Sequence, residues 1–362
     1  MKATVFTPPE TKLVIEEVTL DKLGPQDVRV TVEASGVCRS DLSVLRATAE
    51  AAGSAGAPPM ILGHEGAGVV TAVGTDVRRV KAGDRVIASF VPECGECWYC
   101  VRGESNHCET YGGSGAGHVT RSDGSRPLGM SGLGTFAEEM IVHEHAVVPV
   151  RTDLPSEQLA LIGCGVTTGV GAALWTAQVK PGATVAVFGC GGVGQFVMQG
   201  ARIAGAARVF AVDPVPMKRE HARQAGATDL VDPSSADPVE QIREATGGRG
   251  VDYAFEVIGN PNVIMQAYDA TRPRGTTVVV GMAAADATIT LPAVPLFLQE
   301  KRLIGSFYGS AQIRRNFADL VALAESGQLD IGSAVSRRIR LDEVNDAFRA
   351  MEAGEVIRSV IC

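Results

Sequence analysis

Four thiols sit within fifteen residues as Cys94-x2-Cys97-x2-Cys100-x7-Cys108. Such short spacings let one loop wrap a Zn2+ ion, which takes four tetrahedral ligands. A [4Fe-4S] cluster is the competing reading, because ferredoxins use similar spacings, and disulfides suit a cytosolic chain least. Four thiolates saturate zinc and leave no open position, so this site is expected to hold a loop in shape and do no chemistry. A second signal is Val185-Ala186-Val187-Phe188-Gly189-Cys190-Gly191-Gly192-Val193-Gly194. Gly189, Gly191 and Gly194 form GxGxxG directly after an apolar run, where glycines permit a tight turn, approach of backbone to a pyrophosphate and close packing of helix on sheet. Asp213 ends the next strand, 19 positions after Gly194. A carboxylate there accepts hydrogen bonds from an adenosine ribose and repels a 2′-phosphate, so NAD is expected over NADP. Cys190 reads as filler in the turn.

Three more candidates are dispersed: Cys38 in Gly36-Val37-Cys38-Arg39-Ser40-Asp41, His64 in Gly63-His64-Glu65-Gly66, and Cys164 in Gly163-Cys164-Gly165. Spacing does not group them. Taken singly, a buried Cys packs as a small hydrophobe and a lone His is most often a satisfied core or surface residue.

The elements that must position these residues change character along the chain. Up to about residue 150 short β-like runs are separated by Gly, Pro and Asp, among them Asp27–Val32, Gly68–Val73 and Arg85–Ala88, as in a β-rich barrel or sandwich. Ala47–Pro59 reads as an exposed small-residue loop. After Pro181 apolar strands (Val185–Phe188, Val209–Val212, Asp229–Val231, Tyr253–Val257, Thr277–Gly281) alternate with helical stretches (Gly192–Ala204, Met217–Ala225, Val239–Thr246, Val263–Thr271). That alternation means a parallel sheet covered on both faces. Beyond about residue 308 the chain turns helical and ends in an apolar run, Val356–Ile361, expected to pack back on the first domain.

Composition limits what such a chain can do. At 362 residues, with 45% apolar and 20% charged residues, it has room for two ordinary domains. Lys plus Arg number 33 against 41 Asp plus Glu, a net charge of −8, which argues against nucleic acid as a partner. Two uncharged stretches, Leu159–Ala177 and Thr184–Ala201, approach the length of a membrane span, but their glycine density suits loops joining buried elements better than a lipid-facing helix. Met1–Glu10 reads as a strand start followed by Pro8-Pro9 and not as a secretory signal, so the expected compartment is the cytoplasm.

In family order, Gly-Val-Cys38-Arg-Ser-Asp, Gly63-His64-Glu65, the four-Cys lobe, Gly163-Cys164-Gly165-Val166-Thr167-Thr168, the Gly-rich turn and Gly354-Glu355-Val356-Ile357-Arg358 make the whole chain resemble the zinc-containing medium-chain alcohol dehydrogenases. The resemblance implies an α/β protein with a GroES-like catalytic domain (1–165), a Rossmann-type doubly wound parallel sheet (166–307) and a C-terminal return to the catalytic domain (308–362). It implies two zinc ions per chain. Cys38, His64 and Cys164 would bind the catalytic one, with Glu65 near the metal and Asp41 orienting His64. Cys94, Cys97, Cys100 and Cys108 would hold the structural one. By the same resemblance Arg39 and Arg358 hold the pyrophosphate of NAD, Asp213 and Lys218 its adenosine ribose, and Thr168 and Val193 press on the nicotinamide, whose carboxamide meets the Val280 carbonyl. Gly191, Gly192 and Gly194 line the phosphate turn, and Phe90 is an aromatic wall of the substrate pocket. The implied reaction is reversible oxidation of an alcohol to an aldehyde or ketone, with hydride transfer to NAD. Ser40 takes the alcohol proton, and Ser43 stands where many members have a relay histidine, so the proton is expected to leave through water.

A long Gly- and Ser-rich segment, Glu109–Leu133, resembles the longer dimeric branch, which implies a homodimer, with a tetramer as the alternative. The branch acting on the formaldehyde–glutathione adduct carries an arginine four residues after the last lobe cysteine. Here that position is Gly112, with Arg102 or Arg121 as substitutes. The alternatives to a freely exchanging alcohol dehydrogenase are that thiol-adduct enzyme, a nicotinoprotein that keeps its cofactor, and a non-catalytic NAD-binding relative.

Overall fold

Apolar and polar residues alternate along Asp27–Val32, so Val28 and Val30 are fully buried while Arg29 and Thr31 reach the other face. The resulting strand runs on to Val37 and sits inside a 7-stranded sheet. The sheet order is Val147–Pro149, Arg85–Ala88, Gly66–Val73, Asp27–Val37, Arg358–Ile361, Val335–Ile339, and Glu139–His143 pairs with the first half of the long strand. The C-terminal run therefore joins the same sheet, with Ile361 opposite Ser35 and Ser359 opposite Val37. A second sheet orders Leu13–Glu17, Lys2–Phe6, Met60–Ile61 and Leu128–Gly129.

This computed structural model describes residues 1–55, 57–111 and 117–362. The chain divides into one unit of Met1–Cys164, Gln312–Glu325 and Ile331–Cys362 and another of Gly165–Ala311 and Ser326–Asp330. The return to the first unit thus begins at 312 and not at 308, and the short segment 326–330 belongs to the second unit.

In the second unit the parallel sheet runs Asp229–Val231, Arg208–Val212, Thr184–Phe188, Val251–Glu256, Thr271–Val279, Arg302–Gly305. Numbered along the sequence this is the order 3-2-1-4-5-6 of the doubly wound fold, whose direction of winding reverses beside Thr184–Phe188. Helices Gly192–Ile203, Pro216–Gln224, Pro238–Ala245 and Pro261–Ala270 connect the strands. Val185, Val187, Val209, Ala211, Phe255 and Val278 are buried in a core of continuous apolar strands.

Three expectations need correction. Ala47–Pro59 is mostly helix, since Arg39–Ala55 is one helical element. Ala47, Ala49 and Ala51 are strong helix formers, and Leu42 and Leu45 near its start are its buried apolar side chains among the described residues. Leu159–Ala177 is largely helical as well, despite four glycines. Helix Ser156–Thr176 is long and apolar enough to cross a membrane, and 78% of its apolar window is buried within the protein, as in a core helix. Gly169 has a packing reason: a Cβ there would lie 2.6 Å from the Val193 carbonyl oxygen of the neighbouring helix. Close packing overrides the glycine penalty. Finally, the region after 308 also holds a strand, Val335–Ile339, whose Val-Ser-Arg-Arg-Ile sequence buries Ile339 only.

One buried charge in the second unit gives a pH-dependent term. Lys301 is 7% exposed, donates from Nζ to the Tyr268 carbonyl at 2.8 Å and lies 4.6 Å from the Tyr268 ring centroid. Burial lowers its pKa from 10.5 to about 8. The unfolded chain therefore binds more protons between about pH 8 and pH 10, and stability from this residue rises with pH across that window. Lys301→Met leaves the Tyr268 carbonyl satisfied by the Thr271 hydroxyl at 2.6 Å. Urea unfolding at pH 7.5 and 9.5 is expected to show the wild type gaining stability relative to Lys301→Met at the higher pH. A pH-independent difference contradicts the assignment.

Candidate active site

Cys38 follows the long strand and precedes helix Arg39–Ala55. Asp41, in the helix's first turn, reaches back so that Oδ2 accepts the Cys38 N–H at 2.8 Å, the N3-to-N-cap half of a capping box. Its Oδ1 accepts the Gly63 N–H at 3.1 Å and lies 2.9 Å from His64 Nδ1. One fully buried carboxylate thus ties the segment carrying Cys38 to the segment carrying His64. With Nδ1–H donated to Asp41, Nε2 is the nitrogen left to bind a metal. Cys164 sits on Ile162–Val166, a wide π-helical turn of the kind that recurs at functional sites.

The ligand atoms of Cys38, His64, Glu65 and Cys164 lie within 4.8 Å of one another, and all four residues are buried. Two sulfurs, one imidazole nitrogen and an oxygen in that space fit zinc, and three firm ligands leave a fourth position for exchange. Glu65 is balanced by Arg358, whose Nη2 donates to Glu65 Oε2; the two side chains are 0% and 4% exposed. Burial pushes the Glu65 carboxyl up while Arg358 pulls it down. A hydrogen bond from Cys164 holds the Cys38 thiol well below its ordinary value, with His64 adding to the effect. Burial works against a charged His64, yet the Asp41 carboxylate holds its pKa well above the usual value. Two thiolates cancel the charge of Zn2+, and the Glu65–Arg358 pair adds none.

The lobe cysteines also converge. Their sulfurs lie within 4.8 Å of one another, with Cys94 3.8 Å from Cys100 and Cys97 3.9 Å from Cys108. Zn–S bonds of about 2.3 Å in a tetrahedron set sulfur–sulfur edges of about 3.8 Å, whereas a disulfide needs about 2.05 Å. An iron–sulfur cubane would hold each thiolate on a separate iron and spread the sulfurs further apart. Burial opposes a thiolate at Cys94, but bonds from Thr110 and from the Glu96 and Cys97 N–H groups lower its pKa to about 6.

In the second unit Thr184–Phe188 runs into Gly189 at φ +99°. A Cβ on Gly194 would lie 1.9 Å from the Gly189 carbonyl oxygen, whereas one on Gly191 would meet nothing within 4 Å. Helix Gly192–Ile203 starts at Gly191 without a side-chain cap, so its first N–H groups remain for an anion such as pyrophosphate. Asp213 is 6% exposed and accepts the Cys190 N–H at 2.9 Å and the Val215 N–H at 2.8 Å, fixing the carboxylate at the strand end. Cys190 is fully buried and burial raises its thiol pKa, as suits packing. Arg219 donates to the Asp213 carbonyl at 2.6 Å and pairs with Asp232 at 2.8 Å, so the neighbouring guanidinium is already engaged.

The other expected contacts are placed as follows. Arg39 is exposed at the start of its helix, and Ser40 Oγ lies 3.8 Å from Cys38 Sγ. Thr168, Val193, Lys218 and Val280 are half-buried in the second unit. Phe90 stands edge-on to His64, ring centroids 5.4 Å apart. Gly112 lies outside the described residues. Of the suggested substitutes for an adduct-binding arginine, Arg121 is held by both oxygens of Glu16 at 2.7 and 2.8 Å, and Arg102 lies over the Trp98 ring at 3.9 Å.

Sequence reasoning missed the buried Glu256 of the second unit. Its Oε1 accepts the N–H groups of Ile258, Gly259 and Asn260 at 2.9, 2.8 and 3.2 Å, holding the turn that follows strand Val251–Glu256. An acid inside the apolar run Ala254-Phe255-Glu256-Val257-Ile258 was the available signal.

Comparison with known proteins agrees with this geometry. Residues 24–152 match the alcohol dehydrogenase GroES-like domain and residues 192–326 the zinc-binding dehydrogenase domain. An S-(hydroxymethyl)glutathione dehydrogenase of Photobacterium damsela subsp. piscicida is 39% identical over 361 residues, covering 96% of each chain. The crystal structure of benzyl alcohol dehydrogenase from Acinetobacter calcoaceticus superposes with a TM-score of 0.90 at 30% identity, covering 99% of this chain and 98% of that one. A zinc-binding dehydrogenase from Sinorhizobium meliloti 1021, solved with NADP bound, gives 0.82 at 29% identity, covering 99% and 98%. With its two cysteine-built metal centres on a GroES-like unit and a glycine turn on a doubly wound one, the chain belongs to the zinc-containing medium-chain alcohol dehydrogenase family.

Proposed function

We propose that the chain catalyses reversible oxidation of an alcohol to an aldehyde or ketone, with hydride transfer to NAD. The observation that carries this reading is the convergence of Cys38, His64 and Cys164 with the Ser40 hydroxyl beside Cys38. A zinc ion held by these three residues would supply Lewis-acid polarisation of the substrate oxygen, and bound NAD would supply the hydride acceptor. Asp41 fixes the His64 tautomer and ring direction. Ser40 accepts the alcohol proton, and Ser43, one helical turn on, offers a hydroxyl in place of an imidazole, so the proton leaves through solvent. Phe90 walls the substrate side of His64. Cofactor contacts are assigned by resemblance: Arg39 and Arg358 to the pyrophosphate, although Arg358 is here buried against Glu65, Asp213 and Lys218 to the ribose, Thr168, Val193 and Val280 to the nicotinamide. NAD is favoured over NADP because Asp213 puts a negative charge at the ribose position while Arg219 is taken by Asp232. Eight cysteines without a disulfide, six of them assigned to zinc, support a reducing, cytoplasmic location.

A second reading, oxidation of the formaldehyde–glutathione adduct, is favoured by the name of the 39% identical relative. The engagement of Arg121 by Glu16 weighs against it.

A homodimer is supported by strand Arg302–Gly305, which among the described residues has a partner on one side only, and by the exposed Val294, Phe297 and Leu298 of helix Ala293–Leu298 just before it. Open sheet edges and exposed apolar groups of this kind are usually covered by a second chain.

Metal analysis is expected to give two zinc ions per chain. Cys38→Ala and His64→Ala should each leave one and lower kcat by roughly three orders of magnitude, the scale of several kcal/mol of Lewis-acid stabilisation. Asp41→Asn should cost about 10- to 100-fold in activity through the His64 ligand, and Ser43→Ala should stay within about twofold. Equal losses in Cys38→Ala and Ser43→Ala contradict the assignment. Benzyl alcohol and S-(hydroxymethyl)glutathione compared at 340 nm decide the substrate class; a higher kcat/KM for the adduct favours the second reading, and no turnover of any alcohol in the two-zinc protein overturns both. Light scattering is expected to show a dimer that Phe297→Glu/Leu298→Glu dissociates; a wild-type monomer removes the dimer proposal.

A further inference from the structure

We infer that Glu256 is a positioning residue for the nicotinamide half of the cofactor, because two turns beside the glycine turn both hang on it. This role rests on the proposed dinucleotide contacts, in which Val280 meets the carboxamide. Glu256 is fully buried at the end of strand Val251–Glu256, opposite Phe188 on one side and Val279 on the other. Phe188 is the last residue before the glycine turn, so Glu256 stands where the winding of the sheet reverses. Doubly wound sheets take dinucleotides at that place.

The first turn is held by the side chain. Glu256 Oε1 alone accepts the N–H groups of Ile258, Gly259 and Asn260, at 2.9, 2.8 and 3.2 Å. The second is held by the backbone, since the Glu256 carbonyl accepts the N–H of Val280 at 2.8 Å and that of Gly281 at 3.0 Å. The Val280–Gly281 peptide is trans, so its C=O points opposite to its N–H. Fixing the Gly281 N–H on Glu256 therefore turns the Val280 carbonyl away from the strand end, as an acceptor for a donor outside the sheet.

The two turns also back one another. A Cβ on Gly259, at φ +85°, would lie 2.3 Å from the Met282 carbonyl oxygen, and one on Gly281 would lie 2.1 Å from the Gly259 nitrogen. Backbone is thus packed directly on backbone. Ile258 adds a third contact, because a Cβ on Gly189 would lie 2.7 Å from its Cγ1. Releasing the three amides frees the first turn to shift, and the second then loses its support. The adenosine side is built otherwise, from Asp213 held by the Cys190 and Val215 N–H groups. Glu256 therefore acts on one end of the cofactor. Charge is not what it contributes. Burial pushes its carboxyl up against the pull of the three amides, and Oε2 has no hydrogen-bond partner among the described residues. A glutamine carbonyl can accept the same three bonds.

The zinc-loaded enzyme is titrated with NADH, followed by fluorescence, and with AMP, followed by calorimetry, with thermal unfolding as the check on folding. Glu256→Ala is expected to weaken NADH about tenfold, the scale of one or two lost hydrogen bonds, and to leave AMP within about twofold. Glu256→Gln keeps both affinities near those of the wild type. Where Glu256→Ala does not fold, Glu256→Asp, with the carboxylate drawn back by one methylene, carries the test with the same sign. Unchanged NADH affinity in these variants overturns the role, as does an equal loss for AMP, which marks general loosening, or a loss in Glu256→Gln equal to that in Glu256→Ala. A wild type that binds NADH no more tightly than AMP overturns the nicotinamide assignment and this role with it. A wild type that prefers NADH, with variants that lose both ligands alike, overturns this role alone.

Discussion

A single buried carboxylate organises the metal-binding half of this protein. Asp41 starts a helix by accepting the Cys38 amide, fixes the Gly63 amide and orients His64. An acid at 0% exposure is costly unless it is hydrogen-bonded, and here three donors bind it. The same bonds that make its burial tolerable set the distance between two metal ligands far apart in sequence. Helix capping, strand ending and ligand geometry thus depend on one side chain.

Charge balance explains the next layer. A zinc ion held by two thiolates and a neutral imidazole would carry no net charge. Glu65 alone would spoil that balance, and the buried Arg358 restores it. Arg358 arrives on the C-terminal strand, so the end of the chain takes part in the electrostatics of a site built mainly by the first 164 residues. In the second unit, two backbone N–H groups hold Asp213 at a strand end, and three hold Glu256 at another.

Signals confined to one loop or one strand–turn–helix were legible in the residues themselves. The four lobe ligands fall within fifteen positions and the glycine turn within ten. The strands of the parallel sheet were readable because both their faces are buried and the runs are continuously apolar. Helix Arg39–Ala55 was hidden because its second half is alanine-rich and carries little apolar periodicity. The helix through Cys164 was hidden because glycine propensity argues for loop, while packing against Gly192–Ile203 argues for close approach and wins.

The sequence by itself therefore determined the lobe, the phosphate turn, the alternation of the parallel sheet and, through ordered motifs, the family. It did not determine by spacing that Cys38, His64 and Cys164 meet. That was decided by pairing of Asp27–Val37 with Gly66–Val73, which sets Ser35 opposite Gly66 and brings the ends of two strands together. It also needed a wide helical turn that carries Cys164 to the same place. Nor did the chain order show that Arg358 would be closed over by Glu65. Contacts between residues a hundred or more positions apart are made by sheet register and core packing, and local sequence carries neither.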